Sequence, residues 1–150
     1  WINIAICSAK NSMDHFASVS LINYNSIDNT VQIASSGTNP VLLYSAATGS
    51  ISKISNDCEP IGVEKNTEFK NIDISVNAGD ILVTCTDGLL ECLNESGVQY
   101  SLDNLSKVIK ENCKLSGKDI ANKVRDNIKN FCGSTQQYDD QSLLVVKIQG

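Results

Sequence analysis

The chain holds one histidine, one arginine, one methionine, one tryptophan and two prolines in 150 residues. Each scarcity excludes a chemistry. His15 is the only imidazole, so any Ser-His-Asp or Cys-His mechanism would have to run through it. It stands in Met13-Asp14-His15-Phe16 at a strand entrance, where a lone histidine ordinarily serves a turn or the surface. Arg125 is the only arginine, and position 119, where a Cys-x5-Arg phosphatase motif would need its thiol, is Asp119. Gly117-Lys118 lacks the earlier glycine of a phosphate-binding loop, because Asn112 stands there. Neither G-x-S-x-G nor G-x-G-x-x-G occurs. Apolar runs such as Val41–Tyr44 reach about four residues, far short of a membrane span or a signal segment.

Cysteine, by contrast, is plentiful: Cys7, Cys58, Cys85, Cys92, Cys113 and Cys132. No C-x-x-C pair occurs and imidazole is short, so tetrahedral zinc has little to bind it. Several of these thiols fall in apolar periodic runs, where cysteine is a small buried hydrophobe. That usage points to a reducing, cytoplasmic compartment. Acids outnumber bases 17 to 12, for a formal charge of -5 and a pI near 4.7. The basic footprint of a nucleic-acid binder is missing, and nothing suggests membrane contact. The charge is uneven: residues 51–100 carry nine acids against three lysines, and residues 101–150 eight bases against six acids. The acidic middle is therefore the place to seek cation ligands, while the basic end fits the solvated face of helices.

Apolar periodicity gives the organisation of a single domain over residues 1–150. Strand patterns cover 16–24, 30–34, 41–44, 50–54, 71–76 and 81–85, with an Asn- and Asp-rich turn before the second and Thr48-Gly49 inside a hairpin. After Gly88 the period becomes helical. Leu102, Leu105, Val108, Ile109 and Cys113 share one face, with Ser101 placed to cap it. Ile120, Val124, Ile128 and Phe131 share another, with Ser116 and Asp119 spaced as a capping box and Gly133 as the stop. A buried strand over 143–148 closes the chain. The fold class read from this order is α+β, with helices packed on a largely antiparallel sheet.

Two acidic spots suit a site. Asp87-Gly88 directly follows the strand Ile81–Cys85, and Asp139-Asp140 directly precedes the closing strand. If those strands are neighbours, the carboxylates meet at one end of the sheet and offer oxygen ligands to a hard cation such as Mg2+ or Mn2+. Gly88 lets an ion or its water approach the backbone. Each spot alone also reads as an ordinary turn or strand-edge feature.

The stretch from Asn77 to Glu91, with Asp80, Thr86, Asp87 and Gly88, closely resembles the signature of the SpoIIE-like (RsbU-like) branch of metal-dependent serine/threonine protein phosphatases. Three further segments follow that family's order: Ser36-Gly37-Thr38-Asn39-Pro40 with the strand after it, Glu59-Pro60-Ile61-Gly62, and Asp139-Asp140-Gln141-Ser142. The resemblance implies a β-sandwich flanked by helices with two Mn2+ or Mg2+ ions at one edge, where metal-bound water attacks a phosphoserine or phosphothreonine. It assigns Asp87 and Asp139 as catalytic metal ligands, and places Gly88 and Asp140 at the same metal centre. The implied partner is a phosphorylated regulatory protein, typically an anti-sigma-factor antagonist of the STAS type.

The resemblance also has gaps. The family's earlier Gly-Asp-x-x-Gly-His-Gly segment, whose Asp bridges the metals, has no equivalent, because Asp14-His15 lacks the glycines. Thr38 replaces the histidine of the family's Ala-Gly-His-Asn-Pro loop. The expectation is therefore a domain incomplete at its N-terminus, weak or inactive as it stands, within an active phosphoprotein phosphatase. The alternative is a degenerate, non-catalytic module that binds a signalling partner.

Overall fold

A computed structural model of the chain describes residues 1–9 and 15–149, so Asp14 lies outside the described residues. Those residues form four helices and seven strands, the strands arranged in two antiparallel sheets, as the α+β reading expects. The chain divides into two compact units.

The first unit comprises residues 1–38 and 55–76. It carries helix α1 (Ile2–Ser8) and a sheet of order β1-β2-β5, with β1 at Val19–Asn25, β2 at Thr30–Ser36 and β5 at Ile72–Ser75. The β1–β2 turn is held by its own polar side chains. Asn25 accepts from the Ile27 amide at 2.9 Å, and Asp28 accepts from the Thr30 hydroxyl at 2.6 Å. Val31 and Ile33 point inward and are fully buried. Helix α1 departs from the strand-and-turn reading of this region, and its polarity is inverted. Asn3 is its buried residue, while Trp1, Ile2 and Ile4 are exposed. The Asn3 amide donates to the carbonyls of Glu64 and Lys65 at 2.9 and 3.2 Å, and its oxygen accepts from the Gly62 amide at 2.8 Å. The Asn3 hydrogen bonds seat this helix, with half-buried Ile6 and Cys7 on the same face. The Ser36-Gly37 and Glu59-Pro60 segments meet here, with the Ser36 hydroxyl on the Glu59 carbonyl at 2.6 Å. A Cβ on Gly37, whose φ is +62°, would stand 2.4 Å from the Pro60 ring.

The second unit comprises residues 39–54 and 77–150. Its sheet runs β4-β3-β6-β7, with β3 at Val41–Tyr44, β4 at Ile51–Ile54, β6 at Ile81–Cys85 and β7 at Leu143–Lys147. Helices α2 (Asp87–Leu90), α3 (Ser101–Glu111) and α4 (Gly117–Cys132) complete it. The apolar stripes of α3 and α4, with Leu105, Ile109, Ile120 and Val124 fully buried, pack with Leu42, Ile81 and Val83 of the sheet. Ser116 caps α4 as its spacing predicts, accepting from the Asp119 amide at 3.1 Å and donating to the Asp119 carboxylate at 2.6 Å. Gly133 ends the helix at φ +58°. Ser101 does not cap α3 from outside. It is the first helical residue, at φ +67°, and Tyr100 occupies the cap position.

Tyr100 anchors this core. It is fully buried, meets Phe131 edge-to-face with centroids 5.3 Å apart, and donates to Asn127 at 2.7 Å. Burial, with the nearby thiols, pushes its phenol up to about 12, and burial with Cys132 alongside pushes the Cys92 thiol to about 12. Both groups stay protonated in the fold well above the pH at which the unfolded chain ionises them, roughly 8.5 for thiol and 10 for phenol. Their contribution to stability is thus fully present below about pH 8.5 and is lost as pH rises toward 12. Urea midpoints should be level up to that point and then fall. A midpoint unchanged at pH 11 would contradict this.

Candidate active site

Strand register builds one end of the second sheet. Strand β6 pairs antiparallel with β3, Leu42 opposite Val83, and with β7, Leu143 opposite Cys85. The end of β6, the start of β3 and the start of β7 therefore share an edge. That is the neighbourhood of β6 and β7 on which the convergence of Asp87 with Asp139-Asp140 depends. Thr86 fastens it. Its amide donates to the Ser142 carbonyl at 3.1 Å and its hydroxyl to the Asp140 carbonyl at 3.0 Å, while the hydroxyl accepts from the Ser142 amide at 2.9 Å.

Asp87 opens α2 and is exposed, as are Asp139 and Asp140. Gly88 is buried directly behind it. A Cβ there would stand 2.6 Å from the Asp140 carbonyl oxygen and 3.0 Å from the Asp139 Cβ, so only glycine lets the two loops approach this closely. Asp139 accepts from the Asp140 amide at 2.7 Å, which fixes the turn into β7. Gly88→Ala must displace that backbone, and the expected loss is about 1–3 kcal/mol of stability. Thermal melting would show it, and an unshifted midpoint would mean that the loops yield freely.

Two participants escape a reading of motifs alone. The Asn39 side-chain amide donates to an Asp87 carboxylate oxygen at 2.6 Å, and Gln141 donates to the Gly88 carbonyl at 3.1 Å. Asn39-Pro40 belongs to a matched segment, but its grip on Asp87 follows from the β3–β6 register. Cys85, two residues before Asp87, has its thiol raised to about 11 by burial and by the Asp87 charge. Thr38 carries a buried hydroxyl with no partner among the described residues. Thr38→Val removes that orphan without changing shape and is expected to raise stability by about 1 kcal/mol. A lower midpoint in urea would contradict it.

The donor chemistry at this edge is carboxylate oxygen, which suits a hard divalent ion in kind. In number it falls short: among the described residues no three His, Cys, Asp or Glu side chains converge to hold a metal. The six cysteines are all free thiols, and no described helix is long and apolar enough to cross a membrane. Beside Gly88 and Asp139 opens a cleft of about 330 Å³ between α4 and residues 133–141.

Comparison with solved structures places this architecture among the PP2C-type phosphatase folds. The SiaA PP2C domain of Pseudomonas aeruginosa superposes with a TM-score of 0.84 at 14% identity, covering 98% of this chain and 58% of that one. The Mn-presoaked phosphatase domain of SpoIIE from Bacillus subtilis gives 0.71 at 18% identity, covering 97% and 62%. At the level of sequence, the family described as Stage II sporulation protein E (SpoIIE) matches residues 2–149, and the chain belongs to that family. Phosphoserine phosphatase RsbU of Bacillus subtilis (strain 168) is 26% identical over 132 residues, which are 88% of this chain and 39% of that protein. The chain thus spans well under half the length of this curated relative.

Proposed function

We propose that the chain is part of a phosphoprotein phosphatase domain that hydrolyses phosphoserine or phosphothreonine on a regulatory protein. The observation that carries this reading is the meeting of Asp87 and Asp139-Asp140 at one sheet edge, in a member of a family that includes phosphoserine phosphatases. Asp87 and Asp139 are the proposed metal ligands, with Asp140 and the Gly88 backbone supporting the same centre. A bound Mn2+ or Mg2+ pair would supply activation of water and neutralisation of phosphate charge. The chain's own part is to hold the carboxylates. Asn39 orients Asp87, Thr86 locks the β7 entrance to β6, and Gly88 allows the close approach. Because fewer than three side chains converge among the described residues, turnover by this chain alone is expected to be slow. A STAS-type antagonist is the proposed substrate and the cytoplasm the proposed compartment.

The test is phosphate release from a phosphoserine peptide at millimolar Mn2+. Slow, Mn2+-dependent release that disappears in Asp139→Asn supports hydrolysis. Release no faster than the buffer blank would leave the non-catalytic binding module as the better account.

A further inference from the structure

Helix α4 presents Arg125, Ile128, Lys129 and Cys132 to the cleft beside Gly88 and Asp139. The spacing i, i+3, i+4, i+7 is one helical face. A second depression, of about 270 Å³, lies along the same helix and shares Arg125, Ile128 and Gln141 with the first. The two adjoin along α4 as a furrow, with Arg125 and Ile128 common to both. Asp139 and Glu91 border one stretch, and Leu89 and Leu143 the other.

Charge decides what this furrow accepts. Arg125 is the only guanidinium in the chain, and Lys129 stands one turn further along. The Arg125 partner, Asp126, is 3.6 Å away, and both side chains are mostly exposed, at 72% and 62%. Such a pair is weak and leaves most of the guanidinium donors available. Among the described residues neither Arg125 nor Lys129 forms an ion pair with Asp87, Asp139 or Asp140. Both exposed cations are therefore available to an anion that a partner brings. A furrow lined by Ile128 and Leu143, by the Gln136 and Gln137 amides, and by Arg125 with Lys129 in its first depression suits an extended polypeptide.

We propose that the α4 furrow seats the phosphorylated segment of the substrate protein, and that Arg125 and Lys129 select an acidic residue flanking the phosphoserine. This deepens the phosphatase reading and rests on it. Arg125 and Lys129 are specificity residues, not catalytic ones.

The test measures binding, so it stays readable even where turnover is absent. Fluorescence anisotropy would follow two labelled phosphoserine peptides, one flanked by Asp and Glu and one flanked by Ala. The protein variants are wild type, R125E/K129E and K123E. Lys123 lies on the same helix, exposed and outside the furrow, and reports the effect of a charge reversal elsewhere on α4, two charge units against the four of the double variant. The double reversal is expected to weaken the acidic peptide about tenfold or more, and the Ala-flanked peptide less than about twofold, with K123E near wild type. Because both furrow side chains are exposed, the melting midpoint should not move. Equal weakening of both peptides, or equal effects of K123E and R125E/K129E, would overturn the assignment, as would failure of wild type to prefer the acidic peptide. Hydrolysis that persists in R125E/K129E with unchanged peptide preference would remove the furrow and leave the phosphatase reading standing.

Discussion

Asp87→Asn is expected to lower Mn2+ affinity by about 100-fold or more, taking a weak site to no site. Wild type should bind Mn2+ with a dissociation constant on the order of 0.1–1 mM, the range of loosely built oxygen sites. The reason is arithmetic of ligands. Exposed carboxylates at one sheet edge give charge and hard oxygen, yet fewer than three side chains converge among the described residues. Removing the Asp87 charge also leaves the Asn39 amide facing another amide in place of a carboxylate. Loss of the free-Mn2+ paramagnetic resonance signal on titration would report both values. Micromolar affinity in wild type would mean that the chain completes its own site. Equal affinity in Asp87→Asn would remove Asp87 from the ligand set.

Asp80→Ala is expected to destabilise the fold by about 2–3 kcal/mol, because two part-buried backbone donors lose their acceptor. Asp80 is 3% exposed and accepts from two backbone amides, Ala46 and Asn77, both at 2.8 Å. Its backbone carbonyl also accepts from the Ile148 amide at 2.9 Å. One side chain thereby joins the β3–β4 turn to the start of β6, beside the far end of β7. Asp80→Asn keeps one acceptor oxygen and is expected to lose about half as much. Urea denaturation of both variants decides it. Equal midpoints for wild type and Asp80→Ala would show that water replaces both bonds. This residue lies at the opposite end of β6 from Asp87, so the loss should appear in stability before it appears in Mn2+ affinity.

These outcomes separate what the sequence displays from what only pairing reveals. Asp87-Gly88 is visible because a short apolar run ends in an acid and a glycine, and α4 is visible because Ser116, Asp119 and Gly133 mark its limits. Helix α1 is not visible, since its buried residue is polar and Ile2 and Ile4 face out, against the usual pattern. The contact of Asn39 with Asp87 is equally hidden. It requires the β3–β6 register, and nothing in either segment names its partner. The α4 furrow combines a helix face with a loop that carries no periodicity, so the basic stripe reads from sequence as simple solvation.

The register of β6 has a kinetic consequence. Asn39, Asp87 and Asp140 come together through strand pairings that span about a hundred residues of chain. The α3–α4 pair between them closes through local contacts. Local helices form early, while distant strand pairings wait on loop closure. Refolding should therefore show helical signal first, with competence to bind Mn2+ arriving only in the last phase. The proposed ligands would thus be assembled by the slowest step of folding, and a chain caught before it would look largely folded yet be unable to bind the ion.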